Sequence, residues 1–312
     1  MRRGGDMKKL IGAIGACLLV VLAIQYGRVA SLNRGPGNAY PRIVSLAPNL
    51  TEIAFELGAG AQIVGVTNYC VYPPEALKKE RVGDFVSPNL EKIVYLKPDL
   101  VLAERWTSSK VVPHLREMKL SVIEVETPKS MEEIYGVIRE VGAAVGKPDR
   151  AGELIRNMQQ RVRSIEEQGK RFPRRPSLYV EIDLPSWTVG RNSFITEAIF
   201  LSGARNTFED IERPALQVSR EMVIARDPEF IVSFEAGIPE IQQRPGWNQI
   251  RAVREGKIIK TAERNLLTHG NHRLVEGMET LQAALEKLLG AGRSEAGKPL
   301  QASPPATDRS PG

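Results

Sequence analysis

The chain has 312 residues, 42% of them apolar and 26% charged, which is enough material to bury two cores and excludes a disordered or fibrous chain. Its formal charge of +6 is scattered and partly gathered in the two ends, with no dense basic stripe carrying interleaved aromatics, so nucleic-acid binding is excluded. Only Cys17 and Cys70 occur, which excludes a disulfide framework and a cysteine-held cluster.

Arg2, Arg3, Lys8 and Lys9 precede the apolar run LIGAIGACLLVVLAI, residues 10–24. A basic start followed by a short apolar run reads as an export signal, placing the remainder in the periplasm or at the outer face of the cytoplasmic membrane. Residues 1–30 are either a cleaved signal peptide or an N-terminal membrane anchor. The exit at GRVA has Arg28 where a small residue belongs; Ile14-Gly15-Ala16-Cys17 resembles a lipobox, but the run continues past Cys17, which argues against lipidation. Residues 31–40, SLNRGPGNAY, form a polar linker.

From 41 to 147 the strand-like runs RIVSLAP, QIVGVT, DLVLAE and SVIEVE alternate with the helical patterns NLTEIAFELG, NLEKIVYLK, SKVVPHLREM and SMEEIYGVIREVGAAVG. Such alternation implies a mainly parallel sheet covered by helices, an α/β lobe. Residues 148–171 carry Leu154, Ile155, Met158, Val162 and Ile165 at helical spacing, so one long helix is expected to connect this lobe to the next. Residues 172–290 form a second lobe: SLYVEI, a helix from about Ser193, GKIIKT, and a last helix from Asn271 to about Leu289. The Gly/Pro/Ser-rich tail 291–312 reads as disordered.

One phrase occurs twice. SPNLEKIVYLKPDLVLAE, residues 87–104, and SREMVIARDPEFIVSFE, residues 219–235, each give a serine, a short helix bearing a glutamate, a charged-proline-acid turn and an apolar strand. Glu91 stands seven positions before Pro98, as Glu221 does before Pro228. Copies 130 residues apart are too distant for a solenoid and fit two similar lobes. A carboxylate in a first helical turn is favoured by the helix dipole by about 0.3–1 kcal/mol, which alone accounts for either glutamate but not for their pairing across lobes.

No phosphate-binding loop, nucleophile elbow or H-E-x-x-H sequence is present, so no enzyme is expected. His114, His269 and His272 are the only histidines; the pair in HGNH lacks an evident third ligand, so no metal site is assigned. Aromatics recur where strands end: Tyr69 and Tyr72, Phe85, Trp106 and Trp187. Loops at the carboxyl ends of parallel strands are where open α/β sheets bind ligands, so these residues suggest a cleft for a large flat ligand, although each alone is ordinarily a packing residue. Arg105, Arg191, Arg264 and Arg273 are candidates for ligand carboxylates or phosphates, and solvated surface arginines otherwise.

PRIVSLAPNLTEIAFELGAGAQIVGVTNYCVYPPEA, VGDFVSPNLEKIVYLKPDLVLA, QVSREMVIARDPEFIV and GWNQIRAVREGKIIKT together resemble the helical-backbone, or type III, substrate-binding proteins of ABC importers, in particular the cobalamin-binding branch. The resemblance runs from about Arg42 to Leu289. It implies an α/β fold of two Rossmann-like lobes joined by a single long backbone helix, a ligand held between the lobes, and a monomer. Closure on binding is expected to be small, because a helical connector resists bending more than paired strands would. The resemblance implies that Glu91 and Glu221 dock on arginines of the membrane permease, and that Tyr69, Phe85 and Trp187 flank a corrin. Trp106, which follows a strand, and Arg264, which offers charge, are the further ligand contacts expected from the residues themselves. The chain departs from that branch at Ala215, where an aromatic is usual two places before Gln217. Cobalamin is the transported ligand that the resemblance implies, with no resident cofactor, and the departure at Ala215 keeps other ligands open. Haem, for which Tyr69 or His269 offers an axial ligand, and an iron–siderophore complex are the alternatives. A redox lobe pair would need more cysteines, and a membrane-anchored interaction protein would leave the aromatics unexplained.

Overall fold

The computed structural model describes residues 40–84, 86–105, 110–260, 263 and 265–296. The leader, most of the linker, the last residues of the tail, and Phe85, Trp106 and Arg264 lie outside them. The chain divides into two compact units: one comprises residues up to Glu126 together with Ile138–Gly152, the other Thr127–Val137 and everything from Glu153 on.

The first lobe is a five-stranded, wholly parallel sheet in the order β3-β2-β1-β4-β5. Its strands are β1 (Ile43–Ser45), β2 (Ile63–Val66), β3 (Glu80–Arg81), β4 (Leu100–Glu104) and β5 (Val122–Val125). The near-continuous apolar runs of β1 and β4 are fully buried, as strands covered on both faces must be. Between strands run α1 (Pro48–Glu56), α2 (Leu90–Tyr95) and α3 (Val112–Glu117). Val44, Ile93, Val101 and Leu115 meet in the core on one face of this sheet.

α4 (Met131–Ala144) and α5 (Pro148–Gly169) follow. Gly146, at φ +70°, ends α4 in the left-handed turn that glycine adopts without strain, and Pro148 opens α5 where its missing N–H is not needed. The 22 residues of α5 make one uninterrupted helix about 33 Å long. In the second unit it is held to the last helix, α11 (Leu274–Ala296), by Arg161, which grips Glu279 with two bonds of 2.9 and 2.7 Å. Gln282 adds a bond to the Ile165 carbonyl at 2.8 Å. α11 continues to Ala296, beyond the Leu289 expected from its pattern.

The second lobe has a four-stranded parallel sheet in the order β11-β10-β6-β8, from β6 (Ser177–Glu181), β8 (Arg205–Asn206), β10 (Phe230–Ser233) and β11 (Ile258–Lys260). A two-stranded antiparallel ribbon, β7 (Trp187–Val189) with β9 (Ala215–Gln217), adjoins it. The helices are α6 (Phe194–Leu201), α7 (Arg220–Arg226), α8 (Ile238–Gln243), α9 (Arg251–Arg254), α10 (Asn265–Thr268) and α11. Tyr179, Phe208 and Trp247 pack edge to face in its core, with ring centroids 5.9 and 6.1 Å apart.

The repeated phrase is repeated structure. β4 pairs β1 with Leu100 opposite Ile43, and β10 pairs β6 with Phe230 opposite Leu178. The turn before each strand places Lys97 and Asp227 at the same repeat position in the left-handed region, at φ 47° and 42°. Strand order β2-β1-β4-β5 in one lobe matches β8-β6-β10-β11 in the other, with β3 an extra edge strand in the first. Both sheets are α/β parallel sheets of the class the alternation implied.

Candidate functional site

In each lobe the strand order reverses about the first strand, β1 or β6, which is where open α/β sheets leave a crevice at the carboxyl ends. In the first lobe that edge carries Ser45, Thr51, Thr67 and Cys70. The Thr51 hydroxyl bonds Ser45 Oγ at 2.8 Å and Cys70 Sγ at 3.2 Å. Burial pushes the Cys70 thiol up, hydrogen bonds from Thr51 and Thr67 offsetting part of that, so Cys70 is a fully buried packing residue.

Tyr69 rides on the turn just above it. Arg81 Nη1 donates to the carbonyls of Thr67 (2.6 Å) and Cys70 (3.0 Å), clamping both ends of the turn. Asn68 N–H bonds the Gly83 carbonyl at 2.8 Å, which draws the segment leading to Phe85 alongside. Tyr69 is left 53% exposed. Nothing in the sequence singled out Arg81, because its partners are backbone carbonyls.

Trp187, 39% exposed, begins β7. Its carbonyl accepts from Ile182 N–H at 2.8 Å and its N–H donates to Asp183 at 2.9 Å. Across the ribbon it faces Gln217, whose side chain bonds the Pro185 carbonyl at 3.2 Å, and Ala215 lies opposite Val189. Beneath the ribbon, at the end of β6, Glu181 is fully buried. Arg244 grips it with bonds of 2.7 and 3.0 Å, Ser233 Oγ donates at 3.0 Å, and the guanidinium lies 4.4 Å from the Trp247 ring centroid. A glutamate inside the apolar run SLYVEI was the available signal for this buried pair, since an ionised group is buried only when paired.

The arginine candidates among the described residues are already engaged. Arg105 Nε pairs Glu126 at 2.9 Å, and Arg191 pairs Glu212 at 3.6 Å while bonding the Glu209 carbonyl. Arg273 corrects the surface reading: it is buried and paired with Glu263 at 2.7 Å, because the start of α11 folds over it. Arg264, Trp106 and Phe85 lie outside the described residues. A cavity of about 610 Å³ runs beside β5 in the first lobe, lined by Tyr40, Arg105, Arg116, Glu124 and Glu140. Among the described residues, Tyr69, Tyr72 and Trp187 do not line it. Among the described residues no three His, Cys, Asp or Glu side chains gather as a metal site, and no helix is long and apolar enough to cross a membrane.

Glu91 and Glu221 occupy the first turns of α2 and α7 and are exposed. Both helices are started by a side-chain cap: Asn89 accepts from Lys92 N–H at 2.9 Å, and Ser219 from Met222 N–H at 3.2 Å. The backbone N–H of Glu221 and the Ser219 hydroxyl hold its carboxyl below the usual carboxylate range. Glu91 makes no ion pair or hydrogen bond among the described residues.

Two lobes, each built on a parallel sheet with the same strand order, are the α/β architecture of a two-lobed solute-binding protein. The sequence pattern of the periplasmic binding protein family matches residues 43–264, and the chain belongs to that family, the non-enzymatic substrate-binding components of ABC importers. It is 32% identical over 252 residues to an uncharacterized ABC transporter substrate-binding lipoprotein of Bacillus subtilis (strain 168), covering 78% of this chain and 79% of that one. Over 221 residues it is 31% identical to the vitamin B12-binding protein of Vibrio cholerae serotype O1, covering 70% and 79%. Among solved structures, the periplasmic vitamin B12 binding protein of Vibrio cholerae superposes with a TM-score of 0.71 at 27% identity, over 80% of this chain and 98% of that one. A possible iron-binding periplasmic protein from Staphylococcus epidermidis ATCC 12228 does so with 0.69 at 28%, over 80% and 99%. The chain thus acts outside the cytoplasm with a permease and a small ligand.

Proposed function

We propose that this importer component captures cobalamin or a related corrinoid and presents it to its permease through Glu91 and Glu221. The reading is carried by one observation: equivalent short helices in two repeated helix–strand units each present an exposed glutamate directly after a capped start. Exposed carboxylates cost little in the free protein and supply charge complementarity that orients a basic partner and speeds encounter. Tyr69, Phe85 and Trp106 from the first lobe, with Trp187 and Arg264 from the second, are the proposed ligand contacts. The clamped Tyr69 turn and the Trp187 ribbon present rings without the loss of freedom that a loose loop would incur. The vitamin B12-binding relative supports the corrinoid. The lipoprotein relative supports a form anchored at the outer face of the membrane.

A second reading, haem or a ferric siderophore, draws support from the half-exposed Tyr69 phenol, a side chain of the kind that ligates haem iron, and from the Staphylococcus epidermidis neighbour, a possible iron-binding protein. Visible absorption during titration with cyanocobalamin, haem and a ferric siderophore separates the readings. A saturable shift with cyanocobalamin at one equivalent is expected. A shift only with haem or the siderophore would replace the corrinoid, and no response to any of the three would remove the tetrapyrrole reading.

A further inference from the structure

Tyr95 closes α2 one helical turn beyond Glu91 and is 81% exposed, the most exposed of the large apolar side chains among the described residues. A ring left in water at that level contributes nothing to the core, where Ile93 and Leu96 carry the packing of this helix. Residues four apart on a helix share a face, with Cβ atoms about 5–6 Å apart, so Glu91 and Tyr95 leave α2 on the same side within reach of one ligand group. Val94, 43% exposed, widens the apolar side of the patch.

The charges nearby leave the Glu91 carboxylate to a partner. Lys92, the adjacent cation, turns to Glu80 on its own lobe at 3.6 Å. The repeat in the second lobe is different: the position equivalent to Tyr95 is Ala225, and the next residue, Arg226, is locked to Asp210 by bonds of 2.6 and 2.8 Å. The aromatic therefore belongs to one of the two docking helices only.

We infer that Glu91 and Tyr95 together form a receptor for an arginine side chain of the permease, the guanidinium edge pairing with the carboxylate while its face stacks on the ring. A planar, always charged guanidinium satisfies both groups at once, whereas a lysine ammonium, a compact and strongly hydrated charge, pairs with the carboxylate and gains less from the ring. The receptor makes the first lobe the more selective of the two contacts, the second relying on Glu221 alone. This inference rests on the docking reading above, which already pairs Glu91 with a permease arginine, and adds to it Tyr95 as the ring on which that guanidinium stacks.

The test is binding of Tyr95→Ala, Tyr95→Phe and Glu91→Ala proteins to the importer's permease–ATPase complex in nanodiscs, with ligand affinity and thermal unfolding measured alongside. Tyr95→Ala is expected to weaken docking about 3- to 10-fold while Tyr95→Phe stays within about twofold, because stacking needs the ring and not the hydroxyl. Ligand affinity and unfolding should be unchanged in both. Docking by Tyr95→Ala at the wild-type level, with Glu91→Ala impaired, overturns the receptor and leaves the docking reading standing. Wild-type docking by Glu91→Ala as well overturns both.

Discussion

Removing one member of the Glu181–Arg244 pair should unfold the second lobe far more readily than removing both. Glu181 has no exposed surface, and the Arg244 side chain is 16% exposed, so neither charge retains much water. In Arg244→Met the carboxylate keeps only the Ser233 hydroxyl, and an uncompensated buried charge costs about 3–5 kcal/mol. Glu181→Leu strands the guanidinium, which keeps the Trp247 face and some solvent, at a smaller cost of about 1–3 kcal/mol. The double variant Glu181→Leu with Arg244→Met replaces the pair by apolar volume and should lie within about 1 kcal/mol of the native protein, because breaking a buried pair costs more than replacing it. For a chain of this size, about 2–4 °C of Tm accompanies each kcal/mol, so Arg244→Met should melt about 6–20 °C lower. Tryptophan fluorescence during thermal and urea unfolding reads this directly, since Trp247 lies under Arg244. Arg244→Met and the double variant equally destabilised, or both silent, would refute the pairing argument.

The Cys70 thiol, pushed up by burial, should resist thiol reagents at pH 8 in native Cys17→Ala protein and react at once in urea; a thiol count at native reactivity checks it. The sign follows from the shift: a folded thiol titrating above its unfolded value stabilises the native state below the ordinary thiol range, and that contribution fades as pH rises through the folded value. Asn89→Ala and Ser219→Ala each remove a helix start and should cost about 1 kcal/mol in urea unfolding. Glycine at the same positions should cost only a few tenths.

The elements that alternate as apolar runs and amphipathic helices were legible because a parallel strand buried on both faces has few other ways to be written. β1, β4, β6 and β10 fall within RIVSLAP, DLVLAE, SLYVEI and the repeat at 219–235. The repeated phrase was legible further, since it implied two equivalent helix–strand pairs that share strand order and the left-handed turns at Lys97 and Asp227. β3 and β8, two residues each, and the ribbon of β7 and β9 left no period long enough to read. Charge pairing was illegible for a different reason. Arg273 looks like a surface residue until Glu263 and Glu276 close on it, and Arg81 clamps the Tyr69 turn through carbonyl groups that every residue carries. Glu91 and Glu221 stood out because no packing role accounts for a matched pair of exposed acids.

The most direct test of the account is docking of Glu91→Ala/Glu221→Ala protein to the permease–ATPase complex in nanodiscs, with cyanocobalamin affinity measured on the same preparation. Ligand affinity should match the wild type while docking weakens at least about tenfold and uptake falls. Undiminished docking by the double variant would contradict the assignment of these two glutamates as the contacts that join the binding protein to its importer.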